Sequence, residues 1–227
     1  MANMEVDMEE AKKTGRALVP ADCEPAFVRR DGGSSLFKCG DNASTTLVGL
    51  PQRGPSRQDG LTTLQVTYSF GLVARPRRVK KIGSVNATKA TLKTAQDMLI
   101  LRPMAKSRIR LKVCSVQSGP SEAECAVNST SMSLLQSSYD LKDVIAAVVY
   151  TKSASGEDVF FPSDTVLHDS RKCRRPVFRL RFNVTSQVIW MSISGPSTVQ
   201  EVRKAEEVCR AAASTIFQQM RHCAAGK

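Results

Sequence analysis

The chain contains no membrane span, because no window approaches about eighteen uninterrupted apolar residues. Its first residues, MANMEVDMEEAKKTGR, pass from acidic to basic without an apolar centre. No secretory signal is expected there, and a reducing compartment follows. The seven cysteines are odd in number and include no CxxC pair. Neither a disulfide framework nor a zinc site is therefore expected, and Cys114, Cys125 and Cys209 read as small buried hydrophobes. Aromatics are few, with one tryptophan, yet 41% of residues are apolar. That predicts a true core built from aliphatic side chains. The Asn-x-Ser/Thr triplets at Asn42, Asn86, Asn128 and Asn183 carry no glycan meaning in a chain without a signal.

Acidic residues are also in short supply. Lysine and arginine number 33 against 21 aspartates and glutamates, a net charge of +12 with a pI near 9.6. A domain this basic meets a polyanion, most often nucleic acid, or balances acidic neighbours in an assembly.

The most informative stretch runs from Arg108 to Lys152. Ile109, Leu111, Val113 and Ser115 alternate with Arg110, Lys112, Cys114 and Val116, the period of a strand with one buried face. Ser118-Gly119-Pro120-Ser121 supplies turn chemistry. Cys125, Val127, Met132, Leu134 and Leu135 then recur at helical spacing to about Ser138. Val144 to Tyr150 is an apolar run suited to a strand buried on both faces. Strand, helix and strand in this order imply an α/β layer.

Upstream, Met1 to Glu24 reads as a flexible tail, and one domain is expected over 25–223. Arg30-Asp31-Gly32-Gly33 ends in a turn expected to need glycine's φ freedom. Ser34–Lys38 and Ala43–Leu50 form a hairpin through Gly40-Asp41-Asn42. Pro51–Gly60 is a loop, and Leu64, Val66, Tyr68 and Phe70 mark a third strand. Arg75, Arg77, Arg78, Lys80 and Lys81 form the densest basic run, expected in a turn-rich connection before a helix over Ser84–Leu101. The run fits an RNA backbone contact, with Arg108 and Arg110 as additions. It fits a solvated loop or subunit contact equally, since no aromatic within it stacks a base.

Downstream, Ser153–Asp158 turns into Val159–Pro162, and Ser163–Arg175 reads as polar and irregular. Phe178, Leu180, Phe182 and Val184 make a half-buried strand, and Gln187–Ser194 returns beside it, burying Trp190 or its neighbours. Thr198 and Glu201 form a capping box opening an amphipathic helix to about His222. The order β-β-β-α-β-α-β-β-β-β-α predicts one α/β (α+β) domain of mixed sheets with packed helices.

Several pieces resemble RNase PH, and within that family the RNase PH-like subunits of the eukaryotic exosome ring, most like those of the ribosomal RNA-processing type. They are Arg30-Asp31-Gly32-Gly33-Ser34-Ser35-Leu36-Phe37 with Gly40-Asp41, the strand Ile109–Gln117, and Ala126-Val127-Asn128 through Leu134-Leu135. Tyr139-Asp140-Leu141-Lys142-Asp143-Val144 and the closing helix with Cys209 and Ala212-Ala213 complete the set. The resemblance implies the ribosomal protein S5 domain 2-like fold. Active members of the family phosphorolyse RNA from its 3′ end. They hold phosphate on a Gly-Thr-Arg turn and carry paired acids on a later loop. Here the turn falls at about Pro120–Ala123, where the arginine is missing and Glu122 repels an anion while Pro120 removes a donor. With Asp169 kept as the second acid, Ser163 stands where the first belongs and Asp164 is one position off. His168 beside Asp169, with no nucleophile motif, reads as surface.

The expectation is a non-catalytic ring subunit with no cofactor and no metal, contributing to assembly and RNA threading for 3′–5′ RNA degradation and rRNA processing. Its implied partners are other RNase PH-like subunits, S1/KH cap subunits, an exosome-associated ribonuclease and RNA, in nucleus, nucleolus and cytoplasm, with no membrane. The alternatives are an active phosphate-dependent 3′–5′ exoribonuclease, whose site a neighbour would complete, and a free-standing basic RNA-binding protein.

Overall fold

The computed structural model describes residues 21–26, 32–53, 62–70, 77–101, 107–153 and 155–225, with the side chains of the first helix described from residue 85. Its elements run β1 (Ala21–Pro25), β2 (Gly33–Cys39), β3 (Asn42–Val48), β4 (Gln52–Arg53), β5 (Thr63–Phe70), α1 (Arg77–Met98), β6 (Ser107–Gln117), α2 (Glu122–Leu135), β7 (Ile145–Lys152), β8 (Asp158–Phe160), α3 (Asp164–Lys172), β9 (Val177–Asn183), β10 (Val188–Ser194) and α4 (Val199–Ala225). The expected order is present, with β1, β4 and α3 added. Ala21–Glu24, assigned to the tail by the sequence, pair with β2 from Ala21↔Cys39 onward. The rest of the tail lies outside the described residues.

Two sheets carry the fold. In the first, β1, β2, β3 and β6 are antiparallel neighbours, and β4 continues the line of β3 along one edge of β6. β5 runs parallel to β6 on its other edge, Thr63↔Arg108 to Phe70↔Ser115. The second sheet is antiparallel in the order β10-β9-β7-β8. α1 lies on α2 and β5, α2 fills the space between the sheets, and α4 covers β7, β9 and β1.

The expected alternation in β6 is observed: Ile109, Leu111, Val113 and Ser115 are buried, while Arg110, Lys112 and Val116 are exposed. β7 is buried on both faces from Ile145 to Thr151, because α2 covers one side and α4 the other. The reading of β9 is corrected as well. Phe178, Leu180 and Phe182 are buried, but so is Arg181, and Val184 is exposed. Ser163–Arg175 is not irregular: α3 occupies most of it, with the Val166 N–H donating to Ser163 Oγ. Leu167 and Ser170 face inward from it, too few to register as a period. The Thr198–Glu201 capping box is present, Glu201 Oε2 accepting from Thr198 N at 2.7 Å and Oγ1 at 2.9 Å.

Glycine at position 33 is required for a different reason than expected. Its φ is not positive; only Gly40, Gly156 and Gly195 among the described glycines have that conformation. A Cβ on Gly33 would stand 2.2 Å from the Ser133 carbonyl oxygen, so glycine lets β2 press against α2. All seven cysteines are unbonded, with Cys125 and Cys209 buried and Cys114 partly so. Among the described residues no cluster of three or more metal-ligating side chains forms. Asn42, Asn128 and Asn183 are buried, which excludes glycan attachment at three of the four triplets in the fold.

Candidate functional site

α2 is the unusual element. Its sequence, EAECAVNSTSMSLL, is rich in serine, threonine and asparagine, yet every residue from Glu124 to Leu134 is buried. The polar residues of such a helix survive burial only if each group finds a partner. Asn128 Nδ2 donates to the Ala147 carbonyl at 3.0 Å and Asn128 Oδ1 accepts from the Ala147 N–H at 2.7 Å. Ser133 Oγ donates to the Thr46 carbonyl, Ser35 Oγ donates to the Ser129 carbonyl, and Thr46 and Ser129 share a hydroxyl contact at 2.7 Å. These bonds lock α2 to β2, β3 and β7 and fix where its N-terminus points.

That N-terminus is where the sequence places an anion turn. Pro120 and Ser121 form the turn and Glu122 begins the helix, with no side-chain cap from Ser121. Two carboxylates stand in the first turn. Glu122 accepts from the Tyr68 hydroxyl at 2.6 Å, and Tyr68 is pushed to a higher pKa by burial and this bond. Glu124 is only 3% exposed and faces Arg179 Nε at 3.6 Å. Burial pushes its carboxyl up, while Arg179, the backbone N–H of Glu124 itself and Arg181 pull it back. Burial in turn lowers Arg181, against the opposing pull of Glu124 and Asp97. The Arg181 guanidinium sits 4.2 Å from the centre of the Trp190 ring. Partial positive charge on free N–H groups makes a helix start a natural anion site. Here the chain's own carboxylates occupy it.

Of the expected RNA contacts, Arg108 and Arg110 lie on the same outward face of β6, followed by Lys112. Their neighbours across β5 are Thr63, Gln65 and Thr67, so a cationic row crosses a polar sheet face. Arg77, Arg78, Lys80 and Lys81 are not in a turn-rich connection: they form the opening turns of α1. A basic segment without proline continues a helix readily, which moves its start from Ser84 to Arg77. Arg75 lies outside the described residues. His168 and Asp169 are exposed on α3, 3.8 Å apart, and Ser163 serves as that helix's cap.

Sequence reasoning missed Glu124, Arg179, Arg181 and Trp190. The signal was available in part, because Arg179 and Arg181 at i and i+2 share one face of β9. Trp190 is 38% exposed rather than buried, since β10 is an edge strand paired only with β9.

The model of the 3′ exoribonuclease family (RNase PH), domain 1, matches residues 18–139. No curated protein matches at the sequence level. Among solved structures the chain is similar to rice (Oryza sativa) Rrp46, with a TM-score of 0.75 and 18% identity over 92% of this chain and 96% of that one. It is also similar to a chain of an archaeal exosome core, with a TM-score of 0.72 and 11% identity over 91% and 88%. A chain of an Archaeoglobus fulgidus exosome with RNA bound at its active site gives a TM-score of 0.70 and 10% identity over 90% and 89%. The fold of those chains and of this one is the same, and the family model spans more than half of the sequence: the protein belongs to the RNase PH family.

Proposed function

We propose that this chain is a non-catalytic subunit of an exosome-type core ring, of the Rrp46 kind, contributing to assembly and to the path of RNA toward 3′–5′ degradation. The observation that carries this reading is the start of α2. Where the family resemblance puts inorganic phosphate, the chain has Glu122 and Glu124 buried in the first helical turn, with Arg179 against Glu124. A phosphate entering there meets two carboxylates in a low-dielectric site, and like charge at such range opposes binding strongly.

The assembly half of the proposal draws on β10. Its seven residues, VIWMSIS, contain no charge or proline, and Ile189, Trp190 and Ile193 are exposed. An uncharged apolar edge strand is a template for another chain's strand. Other RNase PH-like subunits are the proposed neighbours, with S1/KH cap subunits, an associated ribonuclease and RNA as wider partners. Nuclear, nucleolar and cytoplasmic location, and rRNA among the processed RNAs, belong to the same proposal.

The test is co-purification of tagged protein at moderate salt, followed by a phosphate-dependent RNA-shortening assay. Near-equal amounts of RNase PH-like chains, with no phosphate-dependent shortening by the isolated protein, support the reading. A stable monomer that binds RNA alone sinks the ring, and phosphorolysis abolished by changes at α2 sinks the non-catalytic half.

A further inference from the structure

Four of the seven cysteines stand in two touching pairs. Cys39 and Cys125 form one, deep in the core with no exposure to solvent. Cys23 of β1 and Cys223 in the last turn of α4 form the other. This second pair lies on a seam, because β1 ends the first sheet and α4 covers the second. Three bonds close the seam. Gln219 Nε2 donates to the Ala21 carbonyl at 3.0 Å, and Cys223 Sγ donates to the Cys23 carbonyl at 3.3 Å. Cys23 Sγ makes a longer contact, 3.8 Å, to the Gln219 carbonyl.

The two thiols of the seam differ in access. Cys23 is only 7% exposed, and burial, followed by the contact with Cys223, pushes its thiol up. Cys223 is partly exposed, beside the exposed His222 and two residues before the helix ends at Ala225. The carbonyls of a last helical turn have no partner further along the chain, so this end shifts at little cost. A shift is all that a bond needs, since the sulfurs must close to about 2 Å.

We propose that Cys23 and Cys223 are an oxidation site, closing to a reversible disulfide under a hydroperoxide and clamping β1 to α4. The accessible Cys223 sulfur attacks the hydroperoxide first. The O–O bond breaks, an S–O bond forms, and the second oxygen leaves as water. The Cys23 sulfur then attacks the Cys223 sulfenic acid: the S–O bond breaks, the S–S bond forms, and the Cys23 proton leaves with hydroxide as water. Two electrons have passed from the two thiols to the peroxide. The new bond spans a separation of 200 residues, and a cross-link restrains the unfolded chain more as the loop it closes lengthens. The core pair Cys39–Cys125 stays reduced, because no oxidant reaches it in the folded chain.

The experiment uses the full chain carrying Cys173→Ser, which removes the one fully exposed cysteine and with it cross-links between molecules. The reduced protein is treated with hydrogen peroxide under native conditions, alkylated, digested and mapped by mass spectrometry, with Tm measured before and after. A peptide pair joined through Cys23 and Cys223, lighter by two hydrogens, is expected. A Tm rise of about 5–10 °C should accompany it and be reversed by dithiothreitol. Cys223→Ser in the same background keeps a hydroxyl donor for the Cys23 carbonyl, so it should fold while showing neither the link nor the rise. Oxidation of Cys223 to the sulfinic acid with no link, a link that forms only in urea, or a link that leaves Tm unchanged would overturn the clamp.

Discussion

Replacing Glu124 with alanine removes the carboxylate that fills the start of α2 and leaves Arg179 and Arg181 facing an empty, carboxylate-sized space. The natural chain has no room there for an external anion, since Glu124 is buried with its charge held by Arg179 and its own N–H. Glu124→Ala should cost about 1–3 kcal/mol in chloride buffer, the common range for a lost buried side chain. It should also create a phosphate site. Two charge-assisted hydrogen bonds at roughly 1.5–3 kcal/mol each give about 3–6 kcal/mol, which brackets the 4.1 kcal/mol of a millimolar complex. At 100 mM phosphate such a site returns about 2.7 kcal/mol, close to the whole loss. For a domain of 227 residues that corresponds to a Tm rise of about 5–10 °C.

The assay is thermal denaturation in phosphate against chloride at matched ionic strength, with a parallel fluorescence titration. Trp190 is the only tryptophan, and Arg181 lies 4.2 Å from its ring, so anion binding reports directly. Phosphate should lift the alanine variant and barely move the natural chain. Equal responses from the two proteins would refute the idea that Glu124 occupies an anion position.

Glu124→Gln tests the electrostatics by pH. Burial holds the Glu124 carboxyl above its ordinary value, so between the ordinary and the raised value the native state binds more protons than the unfolded one. Stability of the natural chain should therefore fall as pH rises through that window and level off above it; urea titrations of the glutamine variant should lack this slope. Gly33→Ala places a Cβ 2.2 Å from the Ser133 carbonyl, forcing β2 and α2 apart by about 1 Å, and should cost about 3 kcal/mol or more by urea midpoint at constant m. Ile189→Lys with Ile193→Lys, both at exposed positions of β10, should change monomer stability by about 1 kcal/mol or less while abolishing the proposed co-purification with RNase PH-like chains. Arg108→Ala with Arg110→Ala should weaken the proposed RNA binding and reduce the slope of log K against log salt by about 1.4 units; an unchanged slope removes these two from the proposed RNA path.

The parts of the fold with one dry face were legible, because period two and period 3.6 record which side chains leave water. β6, β7 and the capping box of α4 came out as expected. The misses share a cause. α2 buries polar residues as well as its apolar face, so its apolar spacing captured only half of its packing, and Arg181 is buried between the Trp190 ring and the Glu124 carboxylate. Gly33 was read as a turn because a Gly-Gly pair looks the same whether it supplies φ freedom or bare space. At the candidate site the sequence pointed to Glu122 alone. Its partners Glu124, Arg179 and Arg181 come from elements more than fifty residues apart, and no local pattern reports that contact.

The same burial makes the start of α2 a poor place to admit an external anion. A phosphate turn needs a helix end open to solvent on one side, so that its N–H groups meet a ligand. In this chain the helix end is closed by Tyr68 on Glu122 and by Arg179 on Glu124, while the rest of α2 is bonded to both sheets through Asn128, Ser129 and Ser133. Substituting arginine for Glu122 would strand the Tyr68 hydroxyl and set a third guanidinium near Arg179 and Arg181 without opening the site. Phosphate binding there would require removing the internal carboxylate, and that removal acts first on stability. For the ring subunit proposed above such a trade would favour the closed state: a helix wedged between two sheets holds the β6 face and the β10 edge in fixed relation, as a neighbour docked on one and RNA passing the other would both require.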